Sequence, residues 1–407
     1  MYLITDFGAK TDRPINTEFI QKAIDTAAAD SSSSTDRTVV IPAGTFYTGA
    51  LFLKPHVNLC LQDGAILKGS NNIEDYPKKR TRIEGKTRIW RVALINADKM
   101  DGLRIYGNGQ IDGNGEVFWK AFWKRRAENP DCTNLEVERP RMFFLEDCKN
   151  IKIAGLKLRN SGFWNVHLYN CKDVLIEGLD IRSPFTPIPA PSTDGIDVDC
   201  CQNVIITDCY ISVNDDCIAL KCGKGPGSDK LENNQPVENI IVENCEFGAG
   251  HGVLTFGSEA TIVRNVVFRN CTINDHNYLV RLKLRPDTPQ IYENILYENI
   301  NLHHAGMLFN VSPWTQFFDL ENSTKCPISI VRNVTLRNIV GNLKEMGILC
   351  GNEGDLLQGF KLCNLDLELE RPTFNSINVK DIEFNQVKLN GKSYLSALEM
   401  ETQDKTK

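Results

Sequence analysis

A nine-residue pattern of apolar and polar positions recurs along the chain. Its second, fourth and seventh positions are apolar, with cysteine admitted at the seventh, and its sixth is mostly Gly, Asn or Asp. These three residue types tolerate a left-handed backbone. The pattern therefore predicts a short strand with alternate burial, a one-residue bend and a second short strand. Copies begin at Asn150, Asp173, Asn203, Asn239, Asn265, Asn294, Asn333 and Asp381.

The spacing of these copies predicts a solenoid. They begin about 23 to 48 residues apart, which suits a coil of about 22 residues with loops of variable length inserted. Stacked coils of this kind pair in parallel and bury a continuous apolar column. We predict an all-β, single-domain parallel β-helix over residues 1–407, with its clearest coils at about 150–390.

The N-terminal region predicts a helix at about 14–30. The stretch "NTEFIQKAIDTAAA" starts with polar residues and places Phe19, Ile20 and Ile24 on one face. Such an amphipathic helix is suited to capping the open end of a solenoid. The following "DSSSSTD" predicts a solvated loop.

The placement of the fourteen cysteines favours stacked, buried thiols over a disulfide framework. No CxxC pair with zinc-type spacing occurs. Cysteines recur at equivalent positions of the pattern, where neighbours in a column point in the same direction. Three occupy the seventh position (Cys209, Cys245, Cys271), and three lie two residues before a copy begins (Cys148, Cys171, Cys201).

Composition limits the classes of partner. The formal net charge of -6 and the pI near 5.7 argue against nucleic acid or an anionic membrane surface. No apolar run approaches the roughly 18 residues of a membrane span, so no membrane insertion is expected. The N-terminus has no signal-peptide profile, so if the protein is secreted or periplasmic, as we expect, its signal has been removed from this chain.

Three acids are predicted to meet on neighbouring coils. Asp194 in "STDGIDVD" and Asp216 in "VNDDCIALK" each precede an apolar strand, and they are 22 residues apart. A coil of that length places them at equivalent positions, with Asp215 beside Asp216. Isolated acids of this kind more often form a solvated turn, but the spacing favours a shared site.

Further polar residues are predicted on the same face. His251 lies in "GAGHGVL" between two glycines, and "YLVRLKLRPD" alternates Arg281 and Lys283 with leucines. On a strand, both cations face outward together. One face thus offers three acids, a histidine and two cations, which suits hydrolysis of a glycosidic bond in an acidic sugar. Close acids raise the pKa of at least one of them, and the cations are suited to a sugar carboxylate.

These motifs carry a family resemblance. S-T-D-G, N-D-D-C, G-H-G and R-L-K occur in the order of the N-T-D-G, D-D, G-H-G and R-I-K motifs of polygalacturonase-type glycoside hydrolases, family 28. The stretches "ITDFGAKTD", "IPAGTFYTGALFLKPHVNL", "GNGQIDGNGEVFW" and "SGFWNVHLYNC" also resemble this family, so the resemblance covers most of the chain.

The resemblance implies a right-handed parallel β-helix and an inverting glycoside hydrolase without metal or other cofactor. It implies that Asp215 is the general acid and that Asp194 and Asp216 hold the attacking water. It further implies that His251 tunes the acid, and that Arg281 and Lys283 bind a galacturonate carboxylate. The expected substrate is an acidic plant cell-wall polysaccharide or oligosaccharide, and the expected state is a monomer.

Three more residues are predicted to bind substrate. Ser192 stands where the family has Asn. Trp164 and His167 are predicted to line the groove, although a core role fits them equally well. The Gly/Pro/Asn-rich insert at 223–236 predicts a wall at one end of the groove, which favours exo attack or a branched pectin.

Several functions remain open from sequence. The first hypothesis is cleavage of α-linked galacturonide bonds in pectin or pectic oligosaccharides, and a close alternative is hydrolysis of rhamnogalacturonan. A pectate-lyase-type enzyme, in which clustered acids hold calcium, is a second class. A non-catalytic sugar-binding β-helix is a third.

Overall fold

The computed structural model describes residues 1–31 and 36–397. The predicted loop "DSSSSTD" lies largely outside the described residues. Helix α1 spans Thr17–Ala29, in agreement with the predicted cap, and helix α2 spans Glu116–Glu128. Short 3-10 helices occur at Ile4–Phe7, Ile73–Asp75 and Ser228–Lys230. Within the described residues, neither α-helix is long and apolar enough to cross a membrane.

Short strands form most of the chain. Those of the first half are β1 Tyr2–Leu3, β2 Thr38–Ile41, β3 Gly44–Thr48, β4 Leu51–Phe52, β5 Asn58–Leu61, β6 Ala65–Gly69, β7 Lys78–Ile83, β8 Lys86–Arg91, β9 Ile95–Asp98, β10 Arg104–Gly107, β11 Gln110–Asp112, β12 Phe143–Glu146, β13 Lys149–Ala154, β14 Lys157–Arg159, β15 Val166–Tyr169, β16 Lys172–Glu177 and β17 Asp180–Arg182. Those of the second half are β18 Ile196–Asp199, β19 Gln202–Thr207, β20 Tyr210–Ser212, β21 Ile218–Lys221, β22 Val237–Glu243, β23 Glu246–Phe247, β24 Leu254–Phe256, β25 Ile262–Ile273, β26 Val280–Leu284, β27 Gln290–Pro313, β28 Ser329–Cys350, β29 Leu356–Leu369, β30 Phe374–Ile377, β31 Val379–Leu389 and β32 Lys392–Tyr394.

The described chain divides into two compact units. The first comprises residues 1–83, 87–197 and 207–215, and the second comprises 84–86, 198–206 and the chain from 216 onward. The predicted single-domain organisation was not tested by this division and stays a prediction.

Parallel pairing between successive coils is the rule in each unit. In the first unit, β5, β10, β13 and β16 pair in sequence, as do β9, β12 and β15. In the second, β21, β24, β26 and β27 form one series, and β22, β25, β27, β28, β29 and β31 form another. Apolar side chains alternate along each strand and fill the interior, which confirms the predicted all-β parallel β-helix.

The sixth position of the repeat is left-handed, as predicted. All eight residues there have positive φ, from 54° at Asn270 to 75° at Gly155. The first position is also left-handed, which the sequence did not indicate: Asn150, Asn203 and Asn333, for example, have φ between 54° and 57°. Each coil therefore bends twice in the same way.

Asparagines at these bends form ladders along the second unit. The Nδ2 of Asn239 donates to Oδ1 of Asn203, and Asn265, Asn294 and Asn333 continue the series at 3.1–3.3 Å. A second ladder runs from Asn364 through Asn338 and Asn299 to Asn270. These side-chain bonds fix the stacking register of the coils.

The fourteen cysteines are free thiols, and all of them fall within the described residues. Most are buried, and Cys326 is exposed. The six in the predicted columns each donate to the carbonyl two residues earlier, at 3.1–3.4 Å. The predicted stacked thiols are confirmed.

Candidate active site

Asp194 and Asp215 approach each other closely in the first unit. Asp194 is 3% exposed and lies just before β18, whereas Asp215 follows β20 and is half-buried. Their carboxylate oxygens lie within 4.8 Å. Asn165 fixes this segment, because its backbone N–H and its Nδ2 both donate to the Asp194 carbonyl, at 2.9 and 3.0 Å. The coil length therefore brings these two acids together, as predicted.

Asp216 is joined to Asp215 by one peptide bond but has a different environment. It is fully buried in the second unit. Thr255 Oγ1 donates to Asp216 Oδ1 at 2.8 Å, and Lys283 Nζ donates to Oδ2 at 2.6 Å. The Arg281 Nη1 atom lies 3.4 Å from Oδ1. Burial of a carboxylate is costly unless it is paired, and these contacts give both Asp216 oxygens a partner.

The glycines beside His251 are required by close packing. A Cβ on Gly252 would lie 2.5 Å from Thr255 Oγ1 and 2.7 Å from Arg281 Cδ. The Gly252 carbonyl accepts the backbone N–H of Cys217 at 2.8 Å, directly after the acid pair. His251 itself is exposed. The two glycines thus let the loop lie against the start of β21 while the imidazole reaches solvent.

The two predicted cations lie on β26, side by side with their intervening leucine pointing inward. Arg281 and Lys283 are 7% and 8% exposed, so they are more covered than an open charged strand face. Trp314 covers them: its ring centre lies 4.8 Å from Lys283 Nζ and 5.9 Å from the Arg281 guanidinium carbon. Tyr278 lies 5.4 Å from the same carbon. Both rings are suited to cation–π contact.

A buried ion pair holds the segment that follows Trp314. Arg285 donates from Nε and Nη2 to the two Asp287 carboxylate oxygens, at 2.8 and 2.6 Å, and both residues are buried. Arg285 also donates to the carbonyls of Gln316 and Phe317, and Asp287 accepts the N–H of Asp319. Burial alone raises the pKa of Asp287, but the Arg285 guanidinium and the Asp319 N–H hold that pKa below its ordinary value.

The three remaining predicted residues lie in buried surroundings. The Ser192 hydroxyl accepts from Arg139 Nη2 at 3.2 Å. Trp164 packs with Ile83, Trp90 and Phe163. His167 is fully buried, with Nδ1 2.6 Å from Arg141 Nη1. Their assignment to substrate binding stays a prediction, and the burial of Trp164 and His167 favours a packing role.

A hairpin that the sequence did not predict covers β15. Strands β7 and β8 pair only with each other among the described strands, through the turn at Glu84 and Gly85. In the first unit, the Arg82 guanidinium lies 4.9 Å from the Tyr169 ring, and the Arg82 carbonyl accepts from Arg141 at 2.7 Å. The overlooked signal is a Glu-Gly pair between two short runs of equal length.

The tip of this hairpin, residues 84–86, packs within the second unit. A Cβ on Gly85 would lie 2.8 Å from the Glu259 Cβ and 3.0 Å from the Lys224 Cβ. Lys86 Nζ lies 2.8 Å from Glu321 Oε1. Burial disfavours the charged form of Glu259, but Lys221 and Lys224 hold its pKa well below the ordinary value. The tip therefore rests on the insert that contains Lys224.

The fold and the clustered acids are suited to a carbohydrate-active hydrolase. The family model for glycosyl hydrolases family 28 matches residues 32–388, and the chain belongs to that family. It is a glycosidase.

Individual relatives agree with this assignment. A probable polygalacturonase of Vitis vinifera is 32% identical over 268 residues, and the match spans 63% of this chain and about half, 51%, of that protein. An exopolygalacturonase of Zea mays is 29% identical over 362 residues, covering 85% of this chain and 78% of that protein. The hyperthermoactive exopolygalacturonase of Thermotoga maritima shares the right-handed parallel β-helix, with a TM-score of 0.78 at 22% identity over 96% of this chain and 92% of that one.

Proposed function

We propose that the chain hydrolyses α-linked galacturonide bonds in pectin or pectic oligosaccharides by removing residues from chain ends. Asp215 is the general acid, because it is the least buried of the three acids and is able to meet the leaving oxygen. Asp194 and Asp216 hold the attacking water, and the exposed His251 tunes the hydrogen bonds of the acid. The observation that carries this proposal is the approach of the Asp194 and Asp215 oxygens to within 4.8 Å in a family 28 chain.

The cation pair supports an acidic substrate. Nε and Nη1 of Arg281 are buried, and neither makes a hydrogen bond among the described residues, although Nη1 forms the 3.4 Å ion pair with Asp216 Oδ1. Buried donors of this kind are costly unless an acceptor arrives, and a sugar carboxylate presents two such oxygens. Lys283 is paired with Asp216 and links the clamp to the water-holding acid. We propose that Arg281 makes the direct contact and that Lys283 adds charge.

The hairpin supports attack at chain ends. Its stem covers His167 and Tyr169, whose side chains follow those of Phe144 and Glu146 on the neighbouring strand. A groove closed by this hairpin leaves room for only a short terminal part of the polymer. The maize and Thermotoga relatives are both named exopolygalacturonases.

Product analysis tests this proposal. We expect polygalacturonate and galacturonide oligomers to release monomer from the first minutes, with a slow fall in polymer size, and rhamnogalacturonan to remain intact. Large early products would contradict exo attack, and cleavage of rhamnogalacturonan alone would replace the substrate. A loss of activity with EDTA, or an unsaturated product absorbing in the ultraviolet, would indicate a calcium-dependent lyase instead.

We also propose that the reaction inverts the anomeric carbon, although the acids are close. Inverting enzymes usually hold two carboxyl groups roughly 6.5–9.5 Å apart, and retaining enzymes about 5–5.5 Å. The 4.8 Å limit here is nearer to the second range. However, both Asp216 oxygens are engaged by Thr255 and Lys283, which disfavours their attack on carbon. Three acids also allow two of them to hold water beside the third.

Nuclear magnetic resonance decides between these outcomes. Inversion of an α linkage predicts that the β anomer of the released sugar appears first and then mutarotates. Proton spectra recorded in the first minutes with trigalacturonate measure this directly. An initial excess of the α anomer would show retention and would make one of the acids a nucleophile.

A further inference from the structure

A cavity lined by both polar and apolar side chains lies in the first unit, and its lining does not include Asp194 or Asp215. It has a volume of about 330 Å³, within the roughly 300–1,000 Å³ of ligand pockets. Its floor is formed by the outward side chains of β9 and β12, where Asn96 lies beside Phe144 and Asp98 lies beside Glu146. The family resemblance and the proposed reaction assign no role to it.

Three cationic side chains line this cavity, and they come from two segments of the chain. Lys54 belongs to the segment after β4, and Lys79 and Arg80 belong to β7 of the hairpin. All three are exposed. Lys79 Nζ lies 3.8 Å from the centre of the Phe52 ring, which fixes this ammonium group at the rim. The ion pair of Lys54 with Asp25 is long, at 3.9 Å, and solvent-exposed, so it leaves Lys54 available.

The floor adds acceptors and an apolar surface. Asp98 and Glu146 are direct neighbours on paired strands, and carboxylates of this kind accept hydrogen bonds from sugar hydroxyl groups. Burial, Asp147 and Asp98 raise the pKa of Glu146. Phe52 and Phe144 line the same cavity, where Lys79 lies over the Phe52 ring and Arg141 lies 4.2 Å from the centre of the Phe144 ring.

The cavity ends at the hairpin. The next residues in the two outward rows, His167 and Tyr169, are covered by Arg141 and Arg82. Thr81, on the stem, lines the cavity and accepts from Arg141 Nη2 at 2.8 Å. A ligand here is therefore separated by the stem from Asp194 and Asp215.

We infer that this cavity is a second, non-catalytic binding site for an acidic sugar, and that it holds a uronate residue of the polymer while another chain end is hydrolysed. The cations bind the uronate carboxylate, and the two floor acids accept from hydroxyl groups. The choice of uronate as the ligand class rests on the proposed function.

Titration calorimetry with trigalacturonate tests this inference in an Asp215→Asn background, which removes turnover. We expect two binding events per chain. The combined change Lys54→Ala, Lys79→Ala and Arg80→Ala weakens one event by about tenfold or more, because charge-assisted hydrogen bonds are lost. The matched control changes three exposed lysines outside the cavity, Lys157, Lys172 and Lys380, to alanine and keeps both events.

A second part of the experiment tests whether the ligand's negative charge is required for binding. Fully methyl-esterified trigalacturonate keeps the hydroxyl groups but loses the charge, so we expect it to weaken this event as well as the event at the Arg281 clamp. A single binding event in the parent, or two events of unchanged affinity in the triple variant with an unchanged melting temperature, would overturn the inference. The proposed function fails separately, if the parent chain does not cleave galacturonides, and the two binding events are then counted on the parent chain.

Discussion

The Asp215→Asn variant is expected to lose about 10²–10⁴-fold in kcat on galacturonide oligomers, because an amide of the same size has no proton to give to the leaving oxygen. Asp215 is half-buried and its backbone lies between β20 and β21, so the exchange is not expected to disturb the fold. Reducing-end assays on trigalacturonate measure the loss, with KM nearly unchanged.

The matched control is Asp208→Asn. Asp208 is exposed and occupies the left-handed sixth position, with φ of 56°, where other coils carry asparagine. The same chemical change there is expected to leave kcat at the parent value. Equal activity of both variants would remove Asp215 from the reaction, and would favour the non-catalytic sugar-binding alternative.

The Asp287→Asn variant is expected to be destabilised by about 3–5 kcal/mol, because it leaves the buried Arg285 guanidinium without its counter-charge. The same pair fixes the segment after Trp314, whose ring covers Arg281 and Lys283. We therefore also expect a higher KM for galacturonide oligomers. Denaturant unfolding measures the first effect, and Asp366→Asn, an exposed site in the same unit, is the control.

The pH dependence of this effect has a definite sign. The pKa of Asp287 is lowered in the folded chain, so its contribution is fully present above the unfolded value of about 3.9 and is lost as pH falls through the folded value. The stability difference between parent and Asp287→Asn should therefore be constant near neutral pH and shrink below about pH 4. A difference that persists in strong acid would show that lost packing, and not lost charge, is the cause.

The repeat was predictable from sequence because it depends on local residue types. Asn244 and Gly155 are suited to the bend wherever they occur, and the apolar second and fourth positions require the interior. Helix α2 was missed because its apolar residues Phe118, Trp119 and Phe122 adjoin exposed Val117 and Trp123 and form no clean stripe. The hairpin was missed because its outward residues are charged and its partners are distant in the chain.

Only the part of the candidate site whose residues are one coil length apart was predictable from the sequence. Asp194 and Asp216 are separated by one coil, so their spacing is visible in the sequence. Trp314 is 31 residues beyond Lys283, in a segment without repeat signals, and its place over the cations follows from the buried Arg285–Asp287 pair. The burial of Trp164 and His167 also depends on distant residues, namely Arg141 and the hairpin. No local sequence pattern predicts these contacts.

The distribution of the cysteines suits the folded protein to covalent labelling at one exposed thiol. A maleimide dye, a spin label or a surface tether needs an accessible sulfur, and Cys326 is the exposed one of the fourteen. It lies five residues after Glu321, the partner of the hairpin tip. A reporter attached there would sense movement of that tip, and replacing the half-buried Cys60, Cys350 and Cys363 confines the label to this position.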